Sequence, residues 1–127
     1  MHDGELAIVR ALVPIAWADG SFADKEKEMI RAILNAYRAS PDEEKSIFDY
    51  AGEKRSLDDI ELQELSAGDR RVLLQQAVLL TFADGRQEAT EVEILKALAA
   101  KLRIPESESV SAIADASARA KKLIALL

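Results

Sequence analysis

The chain has no cysteine among its 127 residues and only one histidine, His2. A disulfide framework, a thiolate metal site and a cysteine nucleophile are therefore excluded. Any Ser-His-Asp catalytic set would have to be built on His2, at a chain end where fraying is common. Soft transition-metal sites lose their usual ligands for the same reason. Glycine and proline are scarce, at five and three residues, and no glycine-rich phosphate loop can be drawn through them. Aromatics make up 5% of the chain, so any core must be mainly aliphatic. No apolar run reaches the roughly 18 residues of a spanning helix. The longest, from Ala77 to Ala83, reads as a buried helix segment, and direct membrane insertion is not expected. Basic residues are outnumbered 17 to 23, and the net charge of −6 disfavours a nucleic-acid surface, which needs a basic stripe. Met1-His2-Asp3-Gly4-Glu5 lacks the basic start and apolar stretch of a secretory signal, so the expected location is cytoplasmic.

What is present is a helix-forming composition, 49% hydrophobic and 31% charged, of a length that fits one domain over residues 1–127. One stretch occurs twice. Trp17-Ala18-Asp19-Gly20 with Glu26 and Glu28 lies over Phe82-Ala83-Asp84-Gly85 with Glu91 and Glu93 at a constant offset. Met29-Ile30-Arg31-Ala32-Ile33 then lies over Ile94-Leu95-Lys96-Ala97-Leu98. A self-similar pattern of this length fixes architecture before any single residue does. It predicts an all-α bundle of about seven helices with a pseudo-twofold internal repeat. Helices 1–3, about residues 3–52, match helices 5–7, about residues 69–127, and helix 4, residues 56–66, is the connector.

Local signals give the boundaries. Helix 1 is expected from an Asp3 cap to Asp19, with Ile8, Leu12 and Ile15 inward and a kink near Arg10 forced by Pro14. Gly20 and Gly85 read as helix stops. Helix 2 starts near Asp24. Ser40-Pro41-Asp42-Glu43 forms a capping box at the start of helix 3, which stops around Gly52. Ser56-Leu57-Asp58-Asp59 reads as the capped start of helix 4, and Ser66-Ala67-Gly68 as its break. Helix 5, from about Asp69 to Asp84, is apolar nearly all round and belongs at the bundle centre. Helix 6 follows from a Thr90–Glu93 capping box to about Leu102, and Pro105 opens helix 7. Trp17 and Phe82 read as core fillers. Leu123-Ile124-Ala125-Leu126-Leu127 reads as core or as a self-association patch.

The acids of the repeat are not equivalent. Glu26 shares a helix face with Met29, Ile30 and Ile33, and Glu91 with Ile94, Leu95 and Leu98, so both begin an inward stripe. Glu28 and Glu93 instead precede Arg31 and Lys96 by three residues, as on an ordinary solvated face. Asp19 and Asp84 fall at helix C-termini, where the macrodipole disfavours a carboxylate by a few tenths to ~1 kcal/mol. A donor or cation is needed there. The spacing Asp-Gly-x5-Glu matches the second half of an EF-hand loop, but Ile15, Trp17, Leu80 and Phe82 occupy positions that must ligate, so an EF-hand is excluded. Two readings stay open. Asp19, Glu26, Asp84 and Glu91 supply oxygens to a hard divalent cation, with Asp24 and Glu88 peripheral. Alternatively, all four are structural caps duplicated with the fold.

A helical hairpin carrying Ala-Asp-Gly…Glu twice, at Trp17–Glu26 and Phe82–Glu91, resembles the TerB-like family of the tellurite-resistance protein TerB and the DjlA N-terminal domain. The resemblance implies an all-helical, internally symmetric domain with acids at Asp19, Glu26, Asp84 and Glu91. It further implies divalent-metal binding, by Ca2+ or Mg2+, and a non-enzymatic place in stress-response complexes near the membrane. The partner would be a protein, and a monomer or a homodimer fits. Tellurite chemistry itself is not implied, because no thiol is present. No J-domain accompanies the resemblance, so a co-chaperone role does not carry over. The alternative function is a metal-free protein–protein scaffold that uses its acidic face or its C-terminal apolar stripe.

Overall fold

The apolar spacing of the sequence is realised as helices throughout. The computed structural model describes residues 1–18, 22–82 and 89–125, with residues 89, 90 and 123–125 described as backbone alone. Among these, six α-helices occur: α1 Asp3–Trp17, α2 Asp24–Ala36, α3 Pro41–Ala51, α4 Ala67–Thr81, α5 Ala89–Lys101 and α6 Glu106–Ala125. No strand appears among the described residues.

α1 and α4, each 15 residues, are the central pair. α2 and α3 pack on α1, while α5 and α6 pack on α4. Val9, Leu12 and Val13 of α1 and Leu73, Ala77 and Val78 of α4 are fully buried, and Ile30, Leu34, Ile47, Leu95, Leu98 and Ala120 join them in one aliphatic cluster. α1 runs through Pro14, which is itself buried.

The expected seventh helix does not form. Residues 56–66 hold two 3-10 turns, Leu57–Asp59 and Leu62–Glu64. The cap signal is real, since the Ser56 N–H donates to Asp59 Oδ2 at 2.8 Å. Propagation fails because Ile60 and Leu65 are both buried. Five residues apart on an α-helix they would point about 140° from each other. Ile60 therefore turns extended, at φ −73° and ψ 122°. Arg70 then reaches back from α4 and donates to the carbonyls of Leu62, Leu65 and Leu102 at 2.9, 3.2 and 3.2 Å. One guanidinium thus ties the connector to the end of α5.

Three boundaries differ from expectation. His2, not Asp3, is the residue ahead of α1. Ser66 caps α4 rather than breaking helix 4: its Oγ accepts the Asp69 N–H at 3.0 Å, and its own N–H donates to Asp69 Oδ2 at 3.1 Å. Gly68 falls in that first turn, just after the cap. α5 already includes Thr90, so Thr90 is not a cap. The Ser40–Glu43 box forms as expected, with reciprocal bonds of 2.8 and 3.2 Å.

α2 and α5 have the same length, 13 residues, and the same ending. Arg38 and Arg103 both adopt left-handed backbone, at φ 58° and 59°. Ala39 N–H donates to the Leu34 carbonyl at 3.0 Å and Ile104 N–H to the Ala99 carbonyl at 3.1 Å. Each is a Schellman closure with arginine where glycine is the usual choice. The stops expected at Gly20 and Gly85 lie outside the described residues.

Candidate acidic cleft at the helix junction

Glu26 and Glu91 occupy the same place in their helices, the third residue of α2 and of α5. That position lies in the positive end of the macrodipole, which favours a carboxylate. Because both helices lean on the central pair, both side chains are carried to one junction. They line a single cleft of about 20 Å³ together with Ile15 of α1, Leu80 and Thr81 of α4 and Ile94 of α5. Both glutamates are half-buried. The cleft has room for one water-sized particle.

The donor set is oxygen only: two carboxylates and a hydroxyl, on apolar walls. This is the chemistry of hard cations, not of soft metals. Glu26 also serves its own helix, since its Oε1 accepts the Ala23 N–H at 3.1 Å. Thr81 is 7% exposed, and its Oγ1 donates to the Val78 carbonyl at 2.7 Å. Two carboxylates drawn to one small space repel unless donors, a shared proton or a cation lie between them. Among the described residues, no group of three or more His, Cys, Asp or Glu side chains gathers as a metal site would require. Asp19 and Asp84 lie outside the described residues, as does Glu88. Asp24 is exposed and pairs with Lys27 at 3.8 Å, away from the cleft lining.

The sequence model of the tellurite resistance protein TerB family matches residues 5–114. The chain belongs to the TerB family. No curated protein and no solved structure gives a match. For this TerB-family chain, the match spans α1 to the middle of α6 and so includes both inward glutamates.

Thr81 is the lining residue that sequence reasoning passed over. It is the one hydroxyl in the apolar run Ala77–Ala83, and that was the available signal. The repeat hid it, because the offset that carries Glu26 to Glu91 places Ala16 opposite Thr81. Of the solvated acids, Glu93 pairs with Lys96 at 3.7 Å as expected. Arg31 pairs instead with Glu44 at 3.0 Å, from a neighbouring helix. Trp17 is not a simple core filler: half-buried, it stacks on Phe22 at 5.9 Å and donates to the Ala51 carbonyl at 3.0 Å. Phe82 is buried, as expected.

Proposed function

We propose that this TerB-family chain is a non-enzymatic, cytoplasmic binding module of tellurite-resistance, stress-response type. In this reading the cleft shared by Glu26 and Glu91 takes a divalent cation, Ca2+ or Mg2+, with Asp19 and Asp84 as the further oxygen donors. The observation that carries it is convergence. Two glutamates far apart in the chain begin separate helices and line one cleft with Thr81. A cation there would tie the starts of α2 and α5 to the end of α4, and so couple ion binding to the relation between the two helical groups. The reading treats the chain as an internal repeat, and the matched lengths and Schellman closures of α2 and α5 support that. The partner is a protein, and any membrane association of the complex comes through that partner. The chain has no cysteine and one histidine, His2, so the reading relies on no cysteine–histidine pair.

A second reading is a metal-free scaffold, and the Ala23–Glu26 bond favours it, because it gives that carboxylate a capping role. Calorimetry with added Ca2+ or Mg2+ separates the two. Saturation at 100 times the dissociation constant stabilises a protein by about 2.7 kcal/mol. For a chain of this size, that corresponds to a rise in melting temperature of several degrees, roughly 5 °C or more. Glu91→Gln and Glu26→Gln should each remove most of the increment. A flat response at millimolar metal assigns the cleft to the scaffold reading.

A further inference from the structure

We infer that Thr81 makes the Glu26–Glu91 cleft a site for Ca2+ rather than Mg2+, by contributing Oγ1 as an uncharged ligand oxygen. This choice of ion rests on the cation reading proposed above and sharpens it. Thr81 is the last residue of α4 and is 7% exposed. It lines the cleft among the aliphatic side chains of Ile15, Leu80 and Ile94. Its hydroxyl proton is committed, since Oγ1 donates to the Val78 carbonyl at 2.7 Å. A hydroxyl that has given away its proton meets the cleft only as an acceptor. The bond to the preceding turn also fixes the side-chain rotamer. An oxygen held in this way suits a cation and does not suit a ligand that needs a donor.

Hydration then chooses between the two ions. The cleft measures about 20 Å³, room for one water-sized particle. Mg2+ dehydrates reluctantly and usually keeps several waters, binding through one or two carboxylates. An ion that brings several waters does not enter a space of this size. Ca2+ surrounds itself with about six to eight oxygens in flexible geometry and accepts uncharged protein oxygens among them. Glu26, Glu91, Asp19 and Asp84, as the donors of the cation reading, reach that number with Thr81 when some carboxylates bind through both oxygens. The carboxylates attract either ion by charge. The buried hydroxyl adds only to the ion that sheds water to reach it. The first copy has no equivalent oxygen, because the offset that relates Glu26 to Glu91 places Ala16 opposite Thr81, and Ala16 is buried. The discrimination therefore comes from the second copy alone.

Isothermal titration calorimetry of the full chain with Ca2+ and, separately, with Mg2+ tests this, with circular dichroism to confirm that each variant folds. The wild type should bind Ca2+ at least roughly tenfold more tightly than Mg2+. Thr81→Val keeps the shape of the side chain and removes the oxygen. It should weaken Ca2+ binding by roughly fivefold or more and change Mg2+ binding by less than about twofold. Thr81→Ala, which copies Ala16 of the first half, should lower the ratio in the same way, and Thr81→Ser should keep it. Tighter binding of Mg2+ than of Ca2+ by the wild type overturns the inference, as does an unchanged ratio in Thr81→Val and Thr81→Ala, and either result leaves the cation reading standing. A wild type that takes up neither ion overturns both.

Discussion

The α1–α3 side of the molecule and the α4–α6 side meet solvent differently. On the first, aromatic rings are covered by cations. Tyr50 lies between Arg10 and Arg55, each guanidinium 4.0 Å from the ring centroid. Arg31 sits 4.9 Å over Phe48, and Lys27 sits 5.8 Å from the Phe22 ring. On the second, the offset that relates Glu26 to Glu91 replaces Arg31 by Lys96 and Phe48 by Ile113. Lys96 turns to Glu93, and both Lys96 and Ile113 line the open groove. Losing one ring and one planar cation is enough to leave a concavity, because a flat guanidinium covers an aromatic face and an ammonium beside a branched aliphatic does not. One side is finished by its own side chains, and the other keeps an open groove.

The largest test of this comparison lies in the core, where the two sides should be alike. Ile30 and Leu95 occupy matched positions, and both have no exposed surface. Ile30→Ala and Leu95→Ala should each cost about 2–5 kcal/mol in denaturant unfolding. A loss confined to one of them would show that the two sides do not share the core equally.

The middle-sized test is a transplant. Lys96→Arg with Ile113→Phe rebuilds on the second side the pair that covers the first. The groove has room for the ring, so overpacking is not expected, and the double variant should gain about 1 kcal/mol from ring burial and the cation–π contact. Either change alone should gain less. A neutral double variant would mean that the groove owes its shape to the backbone rather than to these two side chains.

Much of this architecture was legible in the sequence, for physical reasons that also mark where legibility stops. Helix phase depends on neighbours three and four residues away, so the inward direction of Glu26 and Glu91 followed from Ile30 and Leu95 alone. The capping box of Ser40 and Glu43 is equally local. The connector was misread because Ser56 and Asp59 open a 3-10 turn with the same signal that opens an α-helix. What decides between them is tertiary: burial of both Ile60 and Leu65, and the reach of Arg70 to Leu62, Leu65 and Leu102. The left-handed arginines were not legible, because residue type predicts glycine there. In the candidate cleft the glutamates were legible by phase, whereas Thr81, which has no counterpart in the first copy, was not.

The smallest test separates two acids that share a position and differ in partner. Glu43 and Glu108 are each the third residue of their helix and are related by the offset that relates Glu26 to Glu91. Both carboxyls sit below their ordinary value of 4.5. For Glu43 the first cause is the Ser40 backbone N–H, with the terminal amine of Met1 adding to it. For Glu108 it is the Arg71 guanidinium, which donates through two nitrogens. An acid whose folded value lies below its unfolded value stabilises the fold above the unfolded value, and the contribution disappears as pH falls through the folded one. Melting temperature should therefore hold above roughly pH 5 and decline below about pH 4.5. Glu43→Gln and Glu108→Gln should each flatten part of that decline. Salt should then tell them apart. The Arg71–Glu108 pair is half-exposed on both partners, so its share should fade at roughly 1 M salt, where screening acts within about 3 Å. The Glu43 share rests first on a backbone hydrogen bond of 2.8 Å and should persist. Equal salt sensitivity in the two variants would mean that charge pairing, not the cap, governs both sides.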